Sequence, residues 1–158
     1  WFGVDCLFLS PDCVEPYNPK VVQSSMGSLF RIRFSIVELN HFLNNQERDF
    51  NVYIADMNGK NAFQTEFKNP SILVLGNESQ GVQLKLNDQA SEVISVPSAG
   101  SPTESLNVSI AGAILLAEMY KKNGWTRIGN SHLLWFKANY WIANLILRCF
   151  SPIVTCRK

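Results

Sequence analysis

Side chains that could do chemistry in this 158-residue sequence lie beside its apolar runs. One run ends at Leu75 and is followed by a glycine-rich segment, 76–81, which contains Glu78. Glycines at such a point let a ligand approach the backbone closely. The segment lacks the Gly-Lys-Ser/Thr ending of a phosphate loop, and it is not a dinucleotide-binding G-x-G-x-x-G. Its composition leaves two alternatives open, a ligand-binding loop and a plain turn.

A second group of polar residues stands at the start of a long apolar stretch and comprises Ser105, Asn107 and Ser109. Ser105 or Glu104 is a suitable residue to cap the helix that we predict there. Asn107 is different, because asparagine is a poor helix former and here it stands within an apolar run. A buried amide needs hydrogen-bond partners. We therefore expect a ligand or a neighbouring loop to contact Asn107.

The cysteines and histidines do not indicate metal or nucleophile chemistry. The cysteines form two pairs in the sequence, Cys6 with Cys13 and Cys149 with Cys156, and neither pair has the spacing of zinc ligands. The two histidines, His41 and His132, are scattered, so no Ser-His-Asp or Cys-His arrangement can be assigned. We predict no metal site.

The elements that must position these residues alternate between strands and helices. Continuous apolar runs predict strands over 4–9, 52–55, 71–75 and 93–96, with a turn at Asn58-Gly59. Capping signals predict helices from Asn18-Pro19 to about Ser25, from a capping box at 35–38, and from Glu104 to about Lys122. This alternation indicates an α/β fold, a mostly parallel sheet with helices on both faces. Ligands bind such sheets beyond the carboxyl ends of the strands, where the loops after Leu75 and Val96 lie.

Composition limits the remaining possibilities. The chain is 46% hydrophobic and 17% charged, which excludes a disordered protein, and its net charge of +1 means that any RNA contact must rest on a local patch. The longest apolar stretch before the final segment, 106–120, is shorter than the roughly 20 residues that a membrane span needs. No signal-peptide pattern is present either. We expect a cytoplasmic protein without membrane contact.

Three segments, in this order, resemble the SpoU (TrmH-like) branch of the SPOUT superfamily of RNA 2'-O-ribose methyltransferases. They are Asn18-Pro-Lys-Val-Val-Gln-Ser-Ser-Met-Gly27, Leu73-Val-Leu-Gly-Asn-Glu-Ser-Gln-Gly81, and Ile94-Ser-Val-Pro97 with Glu104-Ser-Leu-Asn-Val-Ser109. Each lies at a predicted strand end. The resemblance covers about residues 2–122, and we interpret residues 1–122 as one SpoU-type methyltransferase domain.

This resemblance implies methyl transfer from S-adenosylmethionine to a ribose 2'-hydroxyl of tRNA or rRNA. It also implies a homodimer and a trefoil-knotted SPOUT-type domain. The family's cofactor positions match Leu75, Gly76, Val96, Pro97 and Leu106. Its polar catalytic positions match Glu78, Ser105 and Asn107, and its substrate-side loop matches Lys20 and Ser25.

Two features depart from the family pattern. The family's Asn-and-Arg motif would lie before Trp1, with the first strand and helix of the fold, and neither Arg31 nor Arg33 matches its position. We therefore expect this chain to show little methyl transfer even if it binds the cofactor. The tail, 123–158, matches nothing in the family, and within it 131–148 has the pattern of an amphipathic helix. We expect the tail to be dispensable for folding.

Two other functions stay open at this point. One is a catalytically inactive RNA-binding or dimerisation module of the same fold. The other is a nucleotide-binding α/β enzyme unrelated to this family, which would not bind S-adenosylmethionine.

Overall fold

A computed structural model of the chain describes residues 2–45, 50–76, 82, 91–98, 100, 106–122 and 153–157, with residues 91 and 153–157 described by their backbone alone. The elements, in chain order, are β1 (Cys6–Leu9), α1 (Pro19–Ser25), β2 (Arg33–Ile36), α2 (Leu39–Asn44), β3 (Asn51–Asn61), β4 (Ser71–Leu75), β5 (Ser91–Ser95), α3 (Val108–Lys122) and β6 (Ile153–Arg157). A 3₁₀ turn, Ser28–Phe30, lies between α1 and β2.

These strands form a single sheet in the order β2-β1-β6-β4-β3-β5. The β1–β2, β3–β4 and β3–β5 pairs are parallel, and β6 is antiparallel to both of its neighbours. Every strand except β6 therefore runs in the same direction, which confirms the mostly parallel sheet. The carboxyl ends of these parallel strands lie along one side of the sheet, the carboxyl edge, and their amino ends lie along the amino edge.

Helices cover both faces of the sheet, as the sequence predicts. The side chains of β4 are all buried and alternate between two hydrophobic clusters, one on each face. The first cluster joins β4 to α3 and includes Leu73, Leu75, Leu115 and Met119. The second joins β4 to α2 and includes Ile72, Val74 and Leu39. Burial on both faces explains why β4 is an uninterrupted apolar run.

The capping signals of α1 act as predicted. The Asn18 Oδ1 atom accepts a hydrogen bond from the Lys20 amide at 3.0 Å, and Pro19 occupies the first helical position. The helix ends where Met26 and Gly27 take positive φ values of 48° and 80°. Only Gly27 adopts this left-handed backbone at no steric cost.

The predicted capping box before α2 is wrong. Ser35 lies within β2, a strand that the sequence did not predict, and the N-cap of α2 is Glu38. The Glu38 carboxylate accepts hydrogen bonds from the amides of His41 at 2.7 Å and Asn40 at 3.3 Å. These hydrogen bonds lower the pKa of Glu38 below its ordinary value. β2 is the edge strand of the sheet and is largely exposed, so it has no apolar run that would identify it.

The turn expected at Asn58-Gly59 is also wrong, because β3 continues through these residues to Asn61. Ala55 and Lys60 both lie opposite Ile94 of β5, so the intervening residues form a bulge. A Cβ atom on Gly59 would lie only 2.5 Å from the Ile94 carbonyl carbon. A glycine at this position therefore marks a close approach of two strands rather than a turn.

The predicted tail helix, 131–148, lies outside the described residues. The end of the tail forms β6, which lies in the middle of the sheet and pairs with both β1 and β4. This pairing argues against a tail that is dispensable for folding. The trefoil knot that the family resemblance implies depends on the complete path of the chain, part of which lies outside the described residues, and stays a prediction.

Lys122 ties the end of α3 to the segment that follows β3. Its Nζ atom donates hydrogen bonds to the carbonyl oxygens of Phe63 at 2.6 Å, Thr65 at 2.9 Å and Ala62 at 3.3 Å. The same atom lies 5.8 Å from the ring centroid of Phe67. One ammonium group thus satisfies three carbonyl groups at the end of a turn.

We predict that Lys122→Met lowers the free energy of unfolding by about 2 kcal/mol, because the thioether keeps the apolar stem but donates to none of the three carbonyls. Urea unfolding measures the change. Lys121→Met is the matched control, since this neighbour is 68% exposed and its ammonium group lies 3.7 Å from the Glu118 carboxylate; its effect should be within about 0.5 kcal/mol. Equal effects of the two substitutions would contradict the bracing role of Lys122.

Candidate functional site

Three segments meet at the carboxyl edge of the sheet. Leu75 ends β4, Val96 follows β5, and Val108 begins α3. All three side chains belong to one hydrophobic cluster. The structure therefore brings together the ends of two parallel strands and the start of a helix, as the sequence analysis expected for a ligand site.

The start of α3 differs from the prediction. The helix begins at Val108, and Asn107 is its N-terminal cap: its Oδ1 atom accepts hydrogen bonds from the amides of Ser109 at 3.0 Å and Ile110 at 3.4 Å, and it contacts the Ser109 hydroxyl. The Asn107 side-chain oxygen is thus satisfied by α3 itself. The expected ligand or neighbouring loop is not needed to explain this residue. Glu104 and Ser105 lie outside the described residues.

α3 packs unusually closely on the last residue of β4. A Cβ atom built on Gly112 would lie 2.8 Å from Leu75 Cδ1, and Gly112 itself is buried. This glycine is not among the residues predicted for the site. A glycine inside a helix costs about 1 kcal/mol relative to alanine, so its presence was an available signal of close packing.

A hydrogen-bonded anchor holds the end of β5 against β3. The Ser95 hydroxyl donates to the Gly59 carbonyl at 2.8 Å, and the Ser95 carbonyl accepts from the Ala62 amide at 3.0 Å. The chain then leaves the sheet at Val96, which is half-buried, and Pro97, which is exposed. The bulge of β3 thus fixes where the loop after β5 begins. The sequence analysis did not identify Ser95 as part of this site.

The predicted cofactor residues divide into buried and open positions. Leu75 is buried in the core, whereas Gly76 and Val96 are half-buried. Pro97 is exposed, and Leu106 is 46% exposed although it is a large apolar residue. Pro97 directly follows Val96 and Leu106 precedes Val108 by two residues, so both apolar residues leave a member of the cluster for solvent. Glu78, predicted as catalytic, lies outside the described residues.

The two residues predicted on the substrate side are placed differently. Lys20 is exposed in the first turn of α1. Ser25 is only 3% exposed, and its hydroxyl donates to the Val22 carbonyl of the same helix at 2.9 Å. The Ser25 hydroxyl is therefore turned towards its own helix, and we retain only Lys20 as a substrate-side candidate.

The arginines of the described residues can be placed relative to the candidate site. Within the described residues, the arginines are Arg31, Arg33 and Arg157. Arg33 lies opposite Cys6, the first residue of β1, and Arg157 lies opposite Ser71, the first residue of β4. Arg31 precedes β2 by two residues. All three therefore lie at the amino edge, and in this part of the chain no arginine backbone stands at the carboxyl edge.

The described residues offer binding rather than acid, base or metal chemistry at this edge. They contain no group of three or more His, Cys, Asp or Glu residues that could hold a metal ion. At the opposite, amino edge, burial raises the pKa of the Cys6 thiol, which keeps it protonated at neutral pH and disfavours nucleophilic attack there. Among the helices of this part of the chain, none is long and apolar enough to span a membrane. Exposed apolar residues such as Pro97 and Leu106 suit a planar organic ligand.

Comparison with known proteins gives a consistent family assignment. A model of the SpoU rRNA Methylase family matches residues 1–117. An uncharacterized tRNA/rRNA methyltransferase of Synechocystis sp. is 31% identical over 119 residues, covering 73% of this chain and 43% of that protein. The 23S rRNA (guanosine-2'-O-)-methyltransferase RlmB of Yersinia pestis is 34% identical over 80 residues, covering 49% of this chain and 32% of that protein.

A solved structure is similar as well. It is the SpoU methyltransferase AviRb of Streptomyces viridochromogenes in complex with AdoMet, with a TM-score of 0.64 and 27% identity, covering 77% of this chain and 51% of that one. The chain thus spans about half the length, or less, of the proteins that it matches.

Proposed function

Because the chain belongs to the SpoU rRNA methylase family, we propose that it takes part in methylating tRNA or rRNA with S-adenosylmethionine as the methyl donor. The observation that carries this proposal is the meeting of Leu75, Val96 and Val108 in one cluster at the carboxyl edge. We further propose the ribose 2'-hydroxyl as acceptor, which the similarity to a guanosine-2'-O-methyltransferase supports. A cytoplasmic homodimer, proposed on family resemblance alone, completes this assignment.

The residues at the carboxyl edge fit the cofactor. Pro97 and Leu106 offer exposed apolar surface for an adenine ring, and the backbone beyond Leu75 and Val96 is no longer engaged in the sheet ladder. Binding through backbone groups requires a small residue close to the ligand, and Gly76 provides it. We therefore propose the five predicted positions, Leu75, Gly76, Val96, Pro97 and Leu106, as the cofactor-binding residues.

When bound, S-adenosylmethionine supplies an electrophilic methyl group. The chain must hold the ribose hydroxyl in line with that group, and such positioning lowers a barrier without an acid or a metal. Glu78 and Ser105 are the polar side chains that we propose to orient the ribose. Asn107 is better described as a positioning residue, because its side chain fixes the first turn of α3 next to Leu106.

We predict that Leu106→Ala weakens binding of S-adenosylhomocysteine about tenfold. The substitution removes exposed apolar surface that the proposed pocket would bury, and tenfold corresponds to about 1.4 kcal/mol, as expected for the loss of two buried methylene equivalents. Isothermal titration calorimetry measures the dissociation constant. Ile110→Ala is the matched control, since Ile110 is 48% exposed one turn further along α3.

The outcomes separate the possibilities clearly. Unchanged affinity in Leu106→Ala, or an equal loss in both variants, would contradict the pocket. Absence of binding heat from the folded wild-type chain would contradict the cofactor itself. Methyl acceptance is tested by transfer of labelled methyl to bulk tRNA and rRNA, with alkali-resistant dinucleotides scoring ribose methylation and alkali-labile products scoring base methylation.

A second candidate function is an RNA-binding or dimerisation module of the same fold without methyl transfer. One observation favours it: the arginines of the described residues lie at the amino edge, away from the proposed pocket. This alternative predicts binding of S-adenosylhomocysteine or RNA with no labelled methyl in any RNA. Robust transfer by the chain would exclude it.

A further inference from the structure

A stretch without acidic residues runs from α1 into the edge strand β2. Between Glu15 and Glu38 the sequence contains Lys20, Arg31 and Arg33, and no aspartate or glutamate. All three cations are exposed. None of them has an acidic partner among the described residues. The chain as a whole is nearly neutral, so this concentration of positive charge is local.

Exposed apolar side chains accompany these cations. Phe30 is 71% exposed and Met26 is 64% exposed, and both lie between Lys20 and Arg31 in the chain. On α1 the exposed positions Lys20 and Gln23 are three residues apart and therefore share one face of the helix, and the exposed Met26 is its C-cap. Phe30 ends the 3₁₀ turn that follows, Arg31 comes directly after it, and both are exposed. We name Lys20, Gln23, Met26, Phe30, Arg31 and Arg33 the α1–β2 strip.

The strip connects the two edges of the sheet. α1 follows the loop that leaves the carboxyl end of β1, and β2 begins beside the amino end of β1, because Arg33 lies opposite Cys6. A helix of seven residues spans about 10 Å, close to the length of the four-residue strand that it crosses. Lys20 is therefore nearest in the chain to the carboxyl edge, and Arg31 and Arg33 are at the amino edge.

We propose that the α1–β2 strip binds an unpaired stretch of the RNA substrate, with a base stacked on Phe30 and phosphates contacted by Arg31, Arg33 and Lys20. This inference rests on the proposed function. Unpaired bases stack on exposed aromatic rings, and phosphates attract arginine. The strip would hold nucleotides that flank the methylated one, because the candidate pocket lies at the other edge of the sheet.

Charge favours RNA over the other possible occupants. A second copy of the chain would bring its own cations against these three, since the strip contains no acid to pair with them. A membrane surface would be contacted by a broader amphipathic helix than the seven residues of α1. An unpaired RNA strand offers phosphates to the three cations and a flat base to the Phe30 ring.

The test uses fluorescence anisotropy of a short labelled oligouridylate with the full chain. Phe30→Ala should weaken binding about tenfold, since one base–aromatic stack is worth about 1–3 kcal/mol and tenfold is about 1.4 kcal/mol. Phe63→Ala, which removes an aromatic ring that is 46% exposed elsewhere, should change the affinity less than twofold.

The charges are tested through salt dependence. The double variant Arg31→Gln/Arg33→Gln should reduce the slope of log affinity against log salt by about 0.7 for each arginine that contacts a phosphate. Lys60→Gln/Lys121→Gln removes the same charge from two residues that are 75% and 68% exposed and ion-paired elsewhere, and it should leave the slope nearly unchanged.

Calorimetry with S-adenosylhomocysteine on the same variants separates the strip from the proposed function. If RNA binding falls only in the strip variants and the calorimetric affinity is unchanged, the strip is supported. If the strip and control variants bind RNA equally, or the wild type binds no oligouridylate, the strip is overturned while cofactor binding can still hold. If Phe30→Ala converts a dimer to a monomer in sedimentation, the surface is an interface between copies, which also overturns the proposal.

Discussion

Thr155→Pro should abolish the cooperative unfolding transition of the chain, whereas Thr155→Val should preserve it. Thr155 is the central residue of β6 and lies opposite Leu7 of β1 and Leu73 of β4. Proline cannot donate to a ladder and is confined to edge strands, so it is incompatible with this position. Valine keeps both the backbone amide and the strand propensity.

The expected loss of stability in Thr155→Pro is large, because among the described residues β6 is the only strand that links β1 to β4. Without it, the sheet divides into a two-stranded piece, β2-β1, and a three-stranded piece, β4-β3-β5. Each buried backbone group left without a partner costs about 1–3 kcal/mol, and the total stability of a domain is about 5–15 kcal/mol. Urea unfolding followed by circular dichroism measures the transition. A proline variant as stable as the valine variant would show that the tail is dispensable after all.

Gly59→Ala should destabilise the chain by about 3 kcal/mol and weaken cofactor binding, whereas Gly112→Ala should change stability by less than about 1 kcal/mol. The new Cβ at residue 59 would lie 2.5–2.7 Å from backbone atoms of Ile94, which cannot rotate away. At residue 112 it would meet only Leu75 Cδ1 at 2.8 Å, the end of a flexible side chain. Alanine also favours the helix by about 1 kcal/mol, which offsets part of that overlap.

The comparison between these two alanine variants tests how the bulge of β3 supports the site. Separation of β3 from β5 would move Ser95 and therefore the start of the loop at Val96. Urea unfolding gives the stability change, and calorimetry with S-adenosylhomocysteine gives the affinity. If Gly112→Ala is as unstable as Gly59→Ala, the Leu75 side chain cannot move aside. The contact between α3 and β4 would then tolerate a new Cβ atom no better than the contact between β3 and β5 does.

The sequence predicts best those elements whose burial is complete and local. β4 is predicted to the residue, because all five side chains are buried and the run is bounded by turn residues. α1 is predicted for a similar reason, since Asn18 and Pro19 determine its start by contacts within two residues. The meeting of the loops at the carboxyl edge follows from the parallel order of the strands.

Long-range and exposed features escape local patterns. β2 is an exposed edge strand, so it contains no apolar run from which it could be predicted. β6 is a strand because it pairs with β1, which is far away in the sequence, and no local pattern indicates that pairing. Asn107 illustrates a different failure. The sequence predicts a helix that begins at Glu104, which places Asn107 inside it and implies a ligand or loop partner for the amide. In the structure α3 begins at Val108, and the Asn107 side chain caps it. Backbone contacts such as Gly59 against Ile94 have no sequence pattern beyond the glycine itself.

The position of β6 also dictates the order in which the molecule can be completed. The register pairs residue 6 with residue 156, so the middle of the sheet closes only after residue 156 has left the ribosome. Until then the nascent chain holds two open strand edges, on β1 and β4, that face one another with unpaired amides and carbonyls. Such non-local pairing slows folding and leaves edges that other chains can join. Synthesis of this sheet therefore passes through an aggregation-prone stage that ends when β6 pairs with β1 and β4.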